Sequence, residues 1–268
     1  MKTRVMAAFS LAAALGGPAV ANPAAGKPPA VQPPVVQPPV VQPPSVNDPG
    51  AAIDAIATSA KDLPQERRPT LVRQLAALGP AALDPMLARL KQDSPAMSAL
   101  QQSSPGAYGA FKAALAEAIG QLEDPRSVPA LVAVLEGESR DERFLRAVAT
   151  GLGRLCRKAE TSEVLAAHAK AGQVRERAAI GGLSACRTEA GMRALAARMG
   201  DADPSLQVEV ADAIGMAGSS WAWKALGKGA AKEGERVRSL GLDALLVAYP
   251  KAQAQAREAI GRAVLMLD

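Results

Sequence analysis

The sequence predicts an all-α protein built as an α-solenoid, a stack of about six helical hairpins. A triplet of a small residue, an aliphatic residue and usually glycine recurs along the chain. Aromatic residues make up only 3% of the sequence, and runs of β-branched and aromatic residues are absent after residue 50. Repeats of 20 to 50 residues are typical of stacked helical arrays, so we expect this architecture.

The triplets define the period of the array. The steps between their central aliphatic residues are 41, 33, 31, 31 and 31 residues. Each triplet ends a first amphipathic helix, and a short turn then leads to a second one. The six triplets are Ala77-Leu78-Gly79, Ala118-Ile119-Gly120, Gly151-Leu152-Gly153, Gly182-Leu183-Ser184, Ala213-Ile214-Gly215 and Ala244-Leu245-Leu246. The predicted second helices span residues 82–91, 127–135, 162–171, 189–199, 221–232 and 252–267.

The first 21 residues have the three parts of an export signal. Lys2 and Arg4 give a positive start, residues 5–15 are apolar, and Ala19-Val20-Ala21 is a small-residue cleavage site. The apolar stretch is too short to span a bilayer, which takes about 20 residues. We expect a signal peptide over residues 1–21 and a mature protein in the periplasm or secreted.

Residues 22–50 are predicted to form a linker. The segment Val31-Gln32-Pro33-Pro34-Val35 is repeated twice more with little change. Paired prolines fix φ and remove amide donors, so the tract should be an extended polyproline II rod. It is either a spacer or a docking peptide for a groove that recognises proline-rich segments. The solenoid is expected over residues 51–268.

Two segments and one dipeptide connect the repeats to a known family. Residues 118–131 closely resemble the HEAT-repeat signature, as do residues 78–83, and Val237-Arg238 matches the start of a HEAT helix. The resemblance covers roughly residues 66–268. It implies stacked helical hairpins whose second helices line a concave surface, in proteins that serve as scaffolds, adaptors and a few enzymes.

The first step of the array is about ten residues longer than its neighbours. The additional residues fall around residues 93–106, which contain two prolines and several serines. Insertions in repeat arrays emerge as loops and often carry function. A tolerated surface loop is the other interpretation, because lengthening a loop costs little free energy.

Catalytic chemistry finds little support in the sequence, and no catalytic, cofactor-binding or metal-binding residues are predicted. His168 is the single histidine, whereas a zinc site needs several Cys and His ligands. Gly151-Leu152-Gly153 and Gly181-Gly182 are expected to be helix-packing glycines and not a phosphate-binding loop. We therefore expect the protein not to be an enzyme. The alternative is a HEAT-like enzyme or enzyme subunit: some such proteins resemble bilin lyases and others DNA glycosylases, roles that belong inside a cell or organelle.

The two cysteines are expected to form a disulfide. Cys156 and Cys186 fall at the ends of first helices in adjacent repeats. Stacked helices are about 8–10 Å apart, and helix ends can close the gap to disulfide distance. An even cysteine count in an exported chain also favours pairing over two buried thiols.

The predicted second helix over residues 221–232 is the best binding candidate. Its lysines are spaced at i, i+4 and i+8, which places them on one helical stripe. Its two tryptophans are two residues apart and cannot both be fully buried, and an exposed Trp is typical of interface hot spots. A solvated face with one Trp covering a core edge is the other interpretation. The candidate partner-binding residues are Trp221, Trp223, Lys224, Lys228 and Lys232, with Arg193 and Arg198 on the neighbouring second helix.

The expected function is a protein–protein interaction scaffold or adaptor in the cell envelope. Removal of Lys2 and Arg4 leaves 29 of the 31 basic residues against 26 acidic ones, a net charge of +3. That balance is too weak to indicate nucleic acid. We expect a monomer without a membrane span or cofactor, and a protein or anionic envelope polymer on its concave face. A purely structural envelope protein is a further alternative.

Overall fold

The computed structural model describes residues 48–268, except Ala171 and Ala202 and the side chains of Gln173 and Asp201. The predicted signal peptide and most of the predicted linker lie outside these residues. In the described part every regular element is helical. Its α-helices are α1 (Pro49–Ala60), α2 (Thr70–Ala76), α3 (Leu83–Lys91), α4 (Pro95–Ser103), α5 (Pro105–Gln121), α6 (Val128–Glu136), α7 (Glu142–Ala159), α8 (Ser162–His168), α9 (Gln173–Cys186), α10 (Glu189–Asp201), α11 (Pro204–Gly218), α12 (Ser220–Lys224), α13 (Ala231–Ala248) and α14 (Ala254–Leu267).

The helices form an all-α solenoid of six hairpins, as predicted, but their pairing differs from the prediction. The helix at each triplet makes most of its contacts with the corresponding helices of adjacent hairpins. Between its own neighbours along the chain, it contacts the preceding helices more than the following one. The hairpins are α1–α2, α3–α5, α6–α7, α8–α9, α10–α11 and α13–α14. We call α2, α5, α7, α9, α11 and α14 the inner helices and α1, α3, α6, α8, α10 and α13 the outer helices. Periodicity identifies the buried face of a helix but not the neighbour that covers it.

The last inner helix carries a triplet that the sequence analysis missed. Ala259-Ile260-Gly261 lies on α14, and Gly215 of α11 faces Ala263 of α14. The predicted sixth triplet, Ala244-Leu245-Leu246, instead lies on the outer helix α13, which packs against α10. Leu246 is exposed there, so it does not occupy the packed position that glycine holds in the inner helices. Each of the six inner helices therefore bears or directly precedes one triplet, and the prediction for the sixth repeat was wrong.

Small residues let neighbouring inner helices touch through their backbones. A Cβ atom built on Gly120 would lie 2.3 Å from the Cα of Gly151. The outer helices instead bury larger side chains such as Met192 and Leu195, and they contact one another less. Since the more closely spaced layer of a stack lies on the inside of its curve, the inner helices form the concave side.

An ion pair that skips one repeat shows the same curvature. The Arg146 guanidinium of α7 lies 3.2 Å from the Glu209 carboxylate of α11, across the intervening helix α9. The solvent-facing sides of α7 and α11 must tilt towards each other for these side chains to meet. The concave surface therefore belongs to the triplet-bearing helices, which corrects the expectation that the predicted second helices line it.

Two additional helices account for the irregular spacing of the triplets. The predicted loop over residues 93–106 contains α4, whose amino end is capped by the Ser94 hydroxyl, which accepts a hydrogen bond from the amide of Met97 at 3.3 Å. Met97 and Leu100 bury one side of α4 against α1 and α5. The short helix α12 is the second insertion and lies between α11 and α13. The insertion near residue 100 is therefore mainly a helix with one side packed on the hydrophobic core, and the loop prediction was wrong.

A charged network fastens the first helix to the array. Arg89 of α3 donates two hydrogen bonds to the Asp54 carboxylate of α1, at 3.0 and 2.9 Å, and the Ser94 hydroxyl donates a third at 2.7 Å. Burial acts to raise the pKa of Asp54, but these hydrogen bonds outweigh it and hold the pKa below its ordinary value. Helix α1 itself begins at Pro49, two residues before the predicted start of the solenoid, with Asp48 as its N-cap.

Candidate binding surface

The concave side holds two adjoining grooves along α7. The first, of about 400 Å³, lies between α2, α5 and the amino-terminal half of α7. The second, of about 370 Å³, lies between α5, α7, α9 and α11 near the carboxyl-terminal half of α7. Glu117 and Thr150 line both, so the two grooves adjoin, and we call them together the α7 channel. Several lining residues have small side chains, among them Ala110, Ala114 and Gly181, and these leave room above the inner helices.

Arginine dominates the charged lining of the α7 channel. Its acidic lining residues are Glu117 and Glu123, and no lysine lines either groove. A guanidinium group offers several donors in a fixed plane and binds carboxylates in a bidentate manner, which an ammonium group cannot do. The lining arginines are Arg68, Arg73, Arg143, Arg146, Arg154, Arg157 and Arg187. This side of the molecule is therefore suited to an anionic partner.

Part of this positive charge has no counterion within the protein. Arg146 pairs with Glu142 at 3.0 Å and with Glu209. In the described residues, by contrast, Arg73, Arg143 and Arg187 make no ion pair. The α7 channel thus has a surplus of positive charge available to a ligand.

The disulfide lies at the second groove. Cys156 of α7 and Cys186 of α9 are joined, with their Cα atoms 5.1 Å apart, so the structure contains the predicted bond. Arg187 follows directly and adopts a left-handed conformation with φ of 45°. Its carbonyl oxygen accepts a hydrogen bond from Arg157 at 3.2 Å. The cross-link therefore fixes the end of α9 and the start of the Arg187 side chain.

Arg187 is poorly satisfied by the protein around it. Its Nε atom is buried and has no hydrogen-bond partner among the described residues. Burial, together with the nearby Arg154 guanidinium, lowers the pKa of Arg187 below its ordinary value. A buried donor without a partner is uncommon in folded proteins and points to a missing acceptor.

The two tryptophans that were predicted to bind a partner lie in opposite environments. Trp221 is 76% exposed, whereas Trp223 is only 3% exposed. The indole of Trp223 donates a hydrogen bond to the carbonyl oxygen of Ala217 at 2.8 Å and packs on Gly234. Trp223 is therefore a core residue that anchors α12, and only Trp221 is available to a partner.

The predicted lysine stripe does not exist as a continuous helical face. Gly227 has φ of 82° and breaks the predicted helix, so Lys224 ends α12, Lys228 lies in a 3-10 turn and Lys232 belongs to α13. Lys224 and Lys228 nevertheless line a shared pocket of about 330 Å³ together with Arg238. Lys232 is exposed outside this pocket. Two of the three lysines are thus brought together by the turn.

The two arginines that were predicted to bind a partner lie on the outer helix α10 and have intramolecular ion-pair partners. Arg198 is partly buried and donates a hydrogen bond from its Nε atom to the buried Glu176 carboxylate at 2.8 Å. Arg193 is exposed and lies 3.6 Å from Glu189. Neither side chain reaches the α7 channel. The channel arginines were not predicted, because the concave side was expected on the other layer of helices. Arginine recurs along α7 at residues 143, 146, 154 and 157, and this recurrence was the available signal.

Across residues 48–268, as far as they are described, no group of three or more His, Cys, Asp or Glu side chains is arranged to hold a metal ion. No helix in that same part of the chain combines the length and hydrophobicity needed to cross a membrane.

The fold and the α7 channel define an α-solenoid with an extended concave surface, a class in which stacked hairpins present a binding face. Residues 97–184 match the family model for HEAT repeats. The matched segment runs from α4 to α9 and agrees with the predicted resemblance to HEAT repeats. No curated protein matches the chain significantly.

One solved structure that is similar to the chain is human deoxyhypusine hydroxylase in complex with glycerol. The two share 18% sequence identity, and the match covers 82% of this chain and 96% of the human one, with a TM-score of 0.34. A likeness this loose supports no conclusion about activity.

Proposed function

We propose that this chain is an exported, non-catalytic scaffold that binds a protein partner of the cell envelope on its concave face. The observation that carries the proposal is the α7 channel, which follows α7 beside α2, α5, α9 and α11 and has seven arginines in its lining. An elongated, shallow channel suits an extended chain better than a small substrate.

Export is supported by the signal at residues 1–21 and by the Cys156–Cys186 disulfide, since structural disulfides persist in oxidising compartments. The proline-rich residues 22–50 would then hold the solenoid at a distance from whatever lies at the amino terminus. Amino-terminal sequencing of the protein from a periplasmic fraction should begin at Asn22. A full-length chain retained in the cytoplasm would contradict export and favour the enzyme alternative.

Partner capture tests the binding surface directly. We would use the mature chain as bait in an envelope extract and compare it with a double variant, Arg73→Glu and Arg143→Glu. Both arginines are exposed and line the first groove, so their reversal should abolish capture without loss of helical content. The matched control reverses two exposed lysines away from the channel, Lys61→Glu and Lys232→Glu, and should capture normally. Equal capture by both double variants would remove the channel as the partner site.

A further inference from the structure

We infer that the second groove of the α7 channel binds the C-terminal carboxylate of a partner protein, with an apolar last residue beside it. This inference rests on the proposed scaffold function and specifies the partner of the same surface. The inference starts from Arg187, next to the disulfide, whose buried Nε atom has no hydrogen-bond partner among the described residues.

The charges in the second groove leave one guanidinium group without a partner. Arg154 lies 3.3 Å from Glu117, and Arg157 lies 2.9 Å from Glu233. The remaining acid of the lining, Glu123, lies 2.9 Å from Lys158. Among the arginines that line the second groove, only Arg187 has no ion pair with a described residue, so this groove is short of a single negative charge. A carboxylate carries one such charge and can accept several arginine hydrogen bonds.

Apolar groups lie beside this charge. Met216 and Leu226 line the same groove, and they are 57% and 37% exposed. An exposed apolar surface next to a guanidinium group matches a ligand that carries a carboxylate and a hydrophobic side chain on the same carbon atom. The last residue of a polypeptide has this arrangement, and capture of a C-terminal carboxylate is a recurring mode of peptide recognition.

The rest of the channel provides room for the chain that precedes the carboxylate. The channel follows α7 from Arg143 to Arg157, a length of about 21 Å at 1.5 Å per helical residue. An extended peptide rises about 3.3 Å per residue, so about six residues fill it. The far end meets Arg68, Arg73 and Arg143, which favours acidic residues at the start of the bound segment. A free aliphatic acid would occupy the second groove alone.

Fluorescence anisotropy with a synthetic hexapeptide tests the inference on the full mature chain. The probe is amino-terminally labelled Glu-Glu-Gly-Ala-Ala-Leu, compared with the same peptide amidated at its carboxyl end and with one ending in lysine. The free acid should bind at least about tenfold more tightly than the amide, because charge-assisted hydrogen bonds are lost on amidation. Equal affinity of acid and amide, measured on the unaltered protein, would overturn the inference.

Matched variants locate the effect. Arg187→Gln should abolish the difference in affinity between the acid and the amide. Arg193→Gln makes the same change on the outer helix α10 and should preserve the full difference. If the first variant does not fold, Leu226→Asp serves instead, since Leu226 is partly exposed; it should weaken the leucine-ended peptide and not the lysine-ended one. An unchanged preference in the folded variants would refute the assignment.

Octanoate as a competitor separates a peptide terminus from a free aliphatic acid. Weak competition supports the peptide, whereas octanoate binding as tightly as the hexapeptide would overturn it. The scaffold function is tested separately from the carboxylate site. If Arg187→Gln still captures an envelope partner, the carboxylate site is refuted and the scaffold function stands. If the protein binds the free-acid peptide but captures no envelope partner, the scaffold function is refuted and the carboxylate site stands.

Discussion

The backbone of Gly182 lies so close to Gly153 that a Cβ atom on Gly153 would be 2.1 Å from the Gly182 carbonyl oxygen. This contact joins α7 to α9 and is typical of the inner layer. Gly153→Ala must push the two backbones apart, and we expect a loss of about 2–3 kcal/mol in the free energy of unfolding. Chemical denaturation followed by circular dichroism measures it.

Gly181 provides the matched control on the same helix. The sequence analysis interpreted Gly181-Gly182 as a pair of packing glycines, but a Cβ on Gly181 would have no atom within 4 Å, so that interpretation was right only for Gly182. Gly181→Ala should leave stability unchanged or raise it by about 0.5–1 kcal/mol, because alanine favours the helix. Equal losses in Gly153→Ala and Gly181→Ala would contradict this account of the inner layer.

Removal of the disulfide should destabilise the middle of the array. The cross-link spans 30 residues, and loop-closure entropy for that length predicts a loss of about 3–4 kcal/mol in the double variant Cys156→Ala, Cys186→Ala. Thermal unfolding with and without reductant should show the same difference in the unaltered protein, and the variant should not respond to reductant. Two free thiols titrated in the denatured, unreduced protein would show that the bond does not form.

Stability should depend on pH through Asp54. Its pKa is lower in the folded chain than its ordinary value of 3.8, so the Arg89 and Ser94 contacts stabilise the fold above that value. The contribution is lost as the pH falls through the lower folded pKa. Asp54→Asn should cost about 1–2 kcal/mol at pH 7, with a difference from the unaltered protein that shrinks below about pH 4. Thermal unfolding from pH 7 to pH 3 measures it, and a difference that stays constant down to pH 3 would contradict the role of the Asp54 carboxylate.

The two tryptophans should differ sharply on truncation. Trp223→Ala removes a buried indole and its hydrogen bond to Ala217, and a loss of about 3–5 kcal/mol is expected. Trp221→Ala changes an exposed side chain and should alter stability by less than about 0.5 kcal/mol. Unfolding curves for both variants give the comparison. A large loss for Trp221→Ala would show that this residue is packed against the protein.

The sequence alone was sufficient for the fold class because the triplets record a local requirement. A small residue is needed wherever two inner helices touch through their backbones, as at Gly120 and Gly151, and that requirement repeats with every hairpin. Helical periodicity likewise identified which faces are buried, and register placed Cys156 and Cys186 at neighbouring helix ends close enough for their disulfide.

Only the tertiary structure decided which helices pair and which layer is concave. Both depend on contacts between residues far apart in the chain, such as Arg146 with Glu209, and no local pattern encodes them. The same limit hid α12, where the positive φ of Gly227 divides a stretch whose lysine spacing resembles one helix. The triplets thus determined that the chain stacks as a solenoid. Close packing of glycine against glycine in three dimensions decided that the stack curves around the arginines of α7.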